Sequence, residues 1–547
     1  MLDPSFIGAL LSRSSPEQVR LSVARLLPES ATAAEKVSAI ESALGSPLGQ
    51  ILRGELGRWI VEQVVPVESL VPEEYLNWRP PVRDAMLFVI SRLSNARLAP
   101  KILEQIDLPP NTPPEARLLR LIAKVPGLQK LGQVIARNRY LRPSLRKALS
   151  ELENGIHDVR GEDMCAIVEE ELGERLRTFD VRLDQAILSE ASVSAVLRFT
   201  WRNPESGERE QGVFKVLKPY IPACFAEDMD MLQGLAEYFG SKSSEYGIAE
   251  DVLTDTFHKV RRLLQHEIHF AGEQKTLLEA FELYRSLPRV RVPRVFPRLC
   301  TAKITAMSEE PGVKVTDAVA AMPAWRRKQV AERLIEALVV VPLFSGRPSP
   351  LFHADPHAGN LFYDPERGEL IILDWALTER LTREQRRHLA LLVCMVGLRD
   401  PVGVRSQIEA LAQGTIKRNS RQARTSREIA AAFLDELPLK RMAGAVDAMR
   451  ILQQTAGQGI RFPSSLIMLS KVLFTLDGVI ADIQGAGVSM AYTVARHWLA
   501  SGTKAGLPFT ARDLIAMQCS AMFYGSRLSI RLEQALFDRL FSGAASN

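Results

Sequence analysis

The segment His353–Ala376, HADPHAGNLFYDPERGELIILDWA, constrains the fold of this chain more than any other. Two short apolar runs, Leu361-Phe362-Tyr363 and Leu370-Ile371-Ile372-Leu373, flank Asp364-Pro365-Glu366-Arg367-Gly368. That linker is strong turn chemistry: Pro presets φ, Gly tolerates positive φ, and Asp bonds its own backbone. The spacing therefore predicts a β-hairpin. Asp355 and Asn360 precede its first strand and Asp374 follows its second, so closing the hairpin brings three oxygen-bearing side chains to one place. Such a set suits phosphoryl transfer. One carboxylate orients or deprotonates the nucleophile, while an amide and a second carboxylate hold Mg²⁺ against nucleotide phosphates. His353, Asp355 and His357 are also zinc-ligand types, but Pro356 interrupts any helix that would set both histidines on one face.

At 547 residues, with 46% hydrophobic and 24% charged residues, the chain has ordinary globular composition. A net charge of +5 is too mild at this length to argue for a nucleic-acid partner. Cys165, Cys224, Cys300, Cys394 and Cys519 are scattered without metal-binding spacing, the pattern of thiols in a reducing compartment. The runs Leu334–Phe344 and Leu389–Leu398 are about half the length a bilayer span requires and read as buried core helices. The N-terminus carries Asp3 and Pro4 where a secretion signal is basic. The expected location is cytoplasmic.

The pattern is mostly helical. Residues 1–105 read as a helical accessory domain that offers a surface for a protein partner. Residues 106–175 form a second helical segment containing Lys130-Leu131-Gly132-Gln133. Within 176–310, Val193–Thr200 and Gly212–Leu217 flank Asn203-Pro204-Glu205-Ser206-Gly207, another hairpin signature. Lys215 sits inside the second of these apolar strands, a costly place for a cation unless it is paired or snorkels from an edge strand. A long helix is expected over Ile248–Arg285, carrying Glu267, His269 and Glu273, followed by a strand over 303–308 and a turn over Glu309–Gly312. Residues 311–547 are again helical apart from the hairpin. This order predicts an α+β, bilobal protein-kinase-like fold, predominantly helical, with a helical N-terminal extension. Thr382-Arg383-Glu384-Gln385 has the form of a capping box, so a helix begins shortly after Asp374 and leaves little room to dock a peptide substrate. Before the lysine strand stands Ser189-Glu190-Ala191-Ser192-Val193-Ser194 rather than a glycine-rich loop; backbone N–H groups of small residues can still approach phosphates, and Glu190 would repel them if it faced them.

From about Arg117 to Ile483 these motifs resemble the UbiB/AarF family of atypical kinases, which includes the coenzyme Q biosynthesis kinases. Lys130-Leu131-Gly132-Gln133 matches the family's K-x-G-Q signature, with Arg139-Tyr140-Leu141-Arg142-Pro143 following it. Ala191-Ser192 matches the end of its alanine-rich loop, and His353–Asn360 matches H-A-D-P-H-P-G-N. The resemblance implies ATP and Mg²⁺ as cofactors, with Lys215 as the nucleotide-binding lysine and Glu273 as its pairing glutamate. It implies Asp355 as the catalytic acceptor, and Asn360 and Asp374 as metal ligands. Lys130 and Gln133 would lie near the nucleotide, as would Glu267, the first residue of the family's E-x-D motif. The chain departs from the pattern at His269, which replaces the E-x-D aspartate, and at Ala358 and Trp375-Ala376. The family's association with quinone and lipid metabolism implies ATPase or kinase work peripheral to the inner membrane, with anionic or isoprenoid lipids as partners.

Two other functions fit parts of the same pattern: a small-molecule phosphotransferase of the aminoglycoside or choline kinase type, and a non-catalytic pseudokinase scaffold. Two segments fit a membrane surface as well as they fit a solvated loop or a core helix. Lys417–Arg427 is rich in cations and lacks acids, and Ser526–Phe541 places Leu528, Leu532, Leu536 and Leu540 at helical spacing beside Arg527, Arg531 and Arg539.

Overall fold

The computed structural model describes residues 17–18, 31–136, 143–151, 158–247, 250–412, 421–438, 443–483, 488, 490–501 and 509–541. The chain divides into two compact units, Met1–Phe270 with Phe296–Met307, and Ala271–Val295 with Ser308–Asn547.

The first unit opens with helices broken by the prolines of the sequence: α1 (Ala33–Gly45), α2 (Gly49–Trp59), α3 (Arg79–Arg92), α4 (Asn95–Asp107), α5 (Pro114–Ile122), α6 (Pro126–Ala136), α7 (Pro143–Glu151) and α8 (Gly161–Leu172). Thr32 and Glu35 form a reciprocal capping box at the start of α1. Three strands follow, β1 (Arg182–Glu190), β2 (Ser194–Arg202) and β3 (Arg209–Leu217), and then α9 (Ile221–Tyr246) and α10 (Glu250–Glu267). The chain next runs through α11 (Phe270–Tyr284) and β4 (Val290–Arg291), which apart from Phe270 belong to the second unit, before β5 (Ile304–Ser308) joins the first sheet. That sheet has the order β1-β2-β3-β5. One face packs Phe199 against Phe214 with centroids 3.8 Å apart and buries Met164 and Val168 of α8. A separate core joins Trp59, Leu98 and Ile102 to Leu232, Phe239 and Leu264, so α9 and α10 are held by the N-terminal helices.

The second unit contains β6 (Val313–Lys314), α12 (Ala324–Ile335), β7 (Leu351–His353), β8 (Leu361–Asp364), β9 (Glu369–Ile372) and β10 (Thr378–Arg380). The remaining helices are α13 (Arg383–Leu398), α14 (Pro401–Leu411), α15 (Arg421–Glu436), α16 (Ala445–Gly457), α17 (Ser464–Asp482), α18 (Met490–Ser501) and α19 (Ala511–Phe541). Its small sheet runs β4-β9-β8-β6, beside a two-stranded ladder of β7 and β10. The runs Leu334–Phe344 and Leu389–Leu398 are core as expected, with Leu334, Ile335, Leu389, Leu392 and Val396 buried.

Three local features differ from the sequence reading. The helix expected over Ile248–Arg285 breaks at Ile268-His269, so Glu267 ends α10 while Glu273 lies in the first turn of α11. No Gly or Pro marks that break; Phe270 is buried there, and tertiary packing overrides local propensity. Strand β1 and helix α9 were not foreseen. Among the described residues, α17 is the helix long and apolar enough to cross a membrane, although half of the apolar window is buried inside the protein. The segment Arg139–Arg142 and residues 417–420 lie outside the described residues, as do the side chains of residues 421–425 and of Leu528, Leu532, Leu536 and Leu540.

Candidate active site

In the second unit the hairpin forms as the turn residues predict. Leu361 pairs with Ile372 and Asp364 with Glu369, and Gly368 adopts φ +69° while its N–H donates to the Asp364 carbonyl. Leu373 N–H then donates to the Asn360 carbonyl at 2.9 Å, tying the residue before β8 to the residue after β9. A second clamp comes from β7 and β10. His353 pairs with Thr378 there, and Ala354 N–H donates to the Leu377 carbonyl. The loops holding Asp355, Asn360 and Asp374 are thus bracketed by backbone pairing on both sides.

Within this frame, His353 is fully buried. Its Nδ1 accepts from Asp355 N–H at 3.2 Å, so its Nε2 donates to the Leu373 carbonyl at 3.0 Å. Burial holds the imidazole below its usual pKa, which favours this neutral, two-way bridge. His353 is therefore a structural cross-link between the two loops, and the zinc reading fails. Among the described residues no group of three or more His, Cys, Asp or Glu side chains is arranged to hold a metal. Asn360 spends its NH₂ on the Asp355 carbonyl at 3.1 Å, an orientation that offers its amide oxygen to a cation. Asp374 is exposed and has φ +53°, a strained conformation for a residue with a Cβ. Its neighbour Trp375 is fully buried, donates Nε1–H to the Ile372 carbonyl, and stacks edge-on against His353. An amide oxygen and an exposed carboxylate fit Mg²⁺, which keeps waters and takes phosphate oxygens to complete its shell.

Sequence reasoning missed Lys471. It projects from α17, and its Nζ lies 2.8 Å from Asp355 Oδ1. Burial pushes the Asp355 carboxyl up, but the charge and hydrogen bond of Lys471 outweigh it and leave the group below the usual carboxylate range. No local pattern marks a lysine in an apolar helix as the partner of an acid so distant in sequence. Glu273 is buried at the start of α11, and Thr276 of that helix donates to the Trp375 carbonyl at 2.8 Å, fixing the helix to the loop that carries Asp374.

In the first unit, Lys215 lies opposite Val196 on β3, half-buried, with its Nζ 5.6 Å from the Phe270 ring centroid. Since β3 is flanked by β2 and β5, Lys215 does not snorkel from an edge. Lys215 and Glu273 fall in different units. Ala191 and Ser192 form the tight turn between β1 and β2, where Ala191 N–H donates to the Ser194 carbonyl. Glu267 accepts from Ser192 Oγ at 3.0 Å and forms an ion pair with Lys130, so the K-x-G-Q helix, the turn and the end of α10 meet. Gln133 is half-buried on the same helix, α6. Glu190 is committed to protein partners. It is buried and receives Lys218 Nζ at 2.8 Å and Asp158 N–H at 2.9 Å, while Lys218 also reaches Asp158 at 2.8 Å.

Residues 151–408 match the ABC1 atypical kinase-like domain. Over that domain the chain resembles the UbiB/ABC1 atypical kinases. It is 27% identical to "Protein ACTIVITY OF BC1 COMPLEX KINASE 7, chloroplastic" of Arabidopsis thaliana over 68% of this chain and 53% of that protein. An uncharacterized Synechocystis protein is 26% identical over 66% of this chain and 60% of its own length. "Probable protein kinase UbiB" of Haemophilus ducreyi is 26% identical over 48% of each chain. A solved Mycobacterium tuberculosis protein in complex with erythromycin is 15% identical, with a TM-score of 0.44, covering 67% of this chain and 90% of its own. The chain spans about half the length of the curated relatives it matches.

Proposed function

We propose that the chain is a kinase-like ATPase that binds Mg·ATP through Asn360 and Asp374 and uses Asp355 to orient water or a small acceptor hydroxyl. The Leu373–Asn360 backbone bond carries this reading, because it holds the amide and the two carboxylate-bearing loops at one end of a rigid hairpin. When bound, Mg²⁺ would neutralise phosphate charge. Asp355, kept anionic beside Lys471, is suited to accept a proton or hydrogen bond from the nucleophile, and Lys471 supplies a cation next to the transferred group. Lys215 and the Ala191-Ser192 turn are the proposed phosphate contacts of the first unit. Lys130, Gln133 and Glu267 would govern access to that turn. The early start of α13, where Thr382 and Gln385 form the expected capping box, favours a small acceptor over a docked peptide. The resemblance to UbiB/ABC1 kinases supports work on quinone or isoprenoid lipids at a membrane surface.

The test is Mg·ATP-dependent thermal stabilisation of the wild type and of Asp374→Ala. It is run alongside phosphate release with and without anionic liposomes, with Asp355→Asn as control. Stabilisation lost in Asp374→Ala and release lost in Asp355→Asn are the expected results. Equal stabilisation in both proteins would refute the metal assignment, and binding without release would make the protein a nucleotide-binding scaffold.

A further inference from the structure

Two cations of α4 hold the short link that leads from α5 into α6, the helix of Lys130 and Gln133. Lys101 Nζ donates to the Ala123 carbonyl, and Arg97 Nη2 donates to the Lys124 carbonyl at 3.3 Å. Lys124 stands at φ +55°, a left-handed conformation that persists only where its surroundings fix it. Arg97 Nη1 also forms an ion pair with Asp228 Oδ1 of α9 at 2.7 Å, and Asp228 Oδ2 accepts Gly127 N–H at 2.7 Å. That N–H belongs to the first turn of α6, where the helix itself supplies no partner. A Cβ at Gly127 would come within 3.3 Å of Asp228 Oδ2, so glycine favours this close approach. Asp228 is fully buried and needs its cation. Backbone groups of Ala123, Lys124 and Gly127 are thus fixed, directly or through Asp228, by one helix of the N-terminal region.

From that anchor α6 runs about one turn to Lys130, which pairs with Glu267 at the end of α10. Glu267 in turn accepts from Ser192 Oγ at 3.0 Å. Lys130 therefore balances a carboxylate that stands against the turn proposed to hold phosphates. If α6 shifts, Glu267 loses that cation and repels the incoming phosphates. The seat of α6 is itself imperfect. Gln129 is fully buried, and among the described residues neither its amide oxygen nor its NH₂ has a hydrogen-bond partner. Such orphaned groups disfavour the docked position, which makes the helix sensitive to loss of its anchor.

We propose that Arg97 and Lys101 are positioning residues for the nucleotide site: by fixing the entry to α6 they keep Lys130 on Glu267 and so set the affinity of the Ser192 turn for phosphate. The inference rests on the Mg·ATP reading above and gives the N-terminal helices a part in it. The test uses the full chain, with Arg97→Gln, Arg97→Lys and Lys101→Met. Leu44→Ala, a cavity in the same core away from these bonds, controls for lost stability. Amide hydrogen exchange reads α6 and calorimetric titration reads the Kd for Mg·ATP, both well below the unfolding temperature. Faster exchange across residues 126–136 is expected in Arg97→Gln and Lys101→Met, with the Kd raised at least about fivefold. Arg97→Lys keeps the pair to Asp228 and should stay within about twofold of the wild type, as should Leu44→Ala. Should Arg97→Gln fail to fold, Lys101→Met carries the comparison, since it removes a buried charge without orphaning another. Unchanged exchange, or faster exchange with wild-type affinity, overturns the proposal and leaves the Mg·ATP reading standing. An equal loss of affinity in Leu44→Ala overturns it too. A wild type that does not bind Mg·ATP refutes that reading and the proposal with it.

Discussion

Replacing Lys471 by Met tests whether the ion pair at Asp355 governs the candidate site. The two charged atoms lie 2.8 Å apart, with side-chain exposures of 32% for Lys471 and 29% for Asp355. A fully exposed pair contributes about 0–1 kcal/mol, and breaking a fully buried one costs about 3–5 kcal/mol. A pair about two-thirds withdrawn from water belongs between these limits, so Lys471→Met should cost roughly 1–2 kcal/mol at neutral pH. For a unit of this size each kcal/mol lowers the unfolding temperature by about 2–4 °C. The sign of the pH dependence follows from the depressed Asp355 pKa. Such a carboxylate contributes stability that is fully present above its unfolded pKa of about 3.9 and is lost as pH falls through the lower folded value. In Lys471→Met the burial that raises the pKa is opposed only by the weaker influence of His357 and His353, so the variant takes up its proton at higher pH than the wild type. The gap in unfolding temperature should therefore be constant near neutrality and narrow as the solution is acidified. If Asp355 is the acceptor, the acidic limb of the phosphate-release profile moves to higher pH in the same variant. A temperature gap that stays equal at pH 7 and pH 4.5, with the acidic limb unmoved, would refute the reasoning.

Three further outcomes follow from single side chains. Lys218→Met leaves Asp158 and Glu190 without their cation and should destabilise the first unit by about 3–5 kcal/mol, with recovery when Asp158→Asn and Glu190→Gln are added; thermal unfolding reads both. Trp375→Phe removes the bond to the Ile372 carbonyl and leaves a gap beside His353 and Tyr284, a loss of about 1–3 kcal/mol measurable by urea unfolding. Asp374→Gly relieves positive φ, so stability should hold or rise by up to about 1 kcal/mol while stabilisation by Mg·ATP disappears.

What could be read from the sequence was local. The Asp364–Gly368 turn, the Thr382–Gln385 capping box and the β2–β3 hairpin each depend on residues a few positions apart, whose conformational preferences act before any tertiary contact forms. The buried core helices were legible for a similar reason, because apolar runs report burial directly. The break at Ile268-His269 was not legible. It contains no Gly or Pro, and only the burial of Phe270 reveals why one helix became two. The roles of Lys471 and Lys218 were invisible as well. One lies in a helix whose composition reads as uniform core, and the other follows a strand that already held a more conspicuous lysine at 215. Glu190 shows the same limit from the other side: its charge suggested repulsion of a ligand, and a cation a chain reversal away neutralises it.

These two kinds of information meet at Asp374. The sequence places an acid after the hairpin but says nothing about its backbone, which lies in the left-handed region. A residue with a Cβ stays there at a cost of about 1–2 kcal/mol, and only when its flanks determine its conformation. Here they do. Ile372 is fixed by its pairing with Leu361, Leu373 by Asn360 and His353, and Trp375 by burial and its bond back to Ile372, so the chain around Asp374 has almost no freedom left. The side chain itself remains exposed. Its Oδ1 accepts from Ala376 N–H at 3.2 Å, which orients the carboxylate over the turn. In the proposed site the carboxylate so oriented would meet the metal, with the stability of the surrounding hairpin offsetting the local strain.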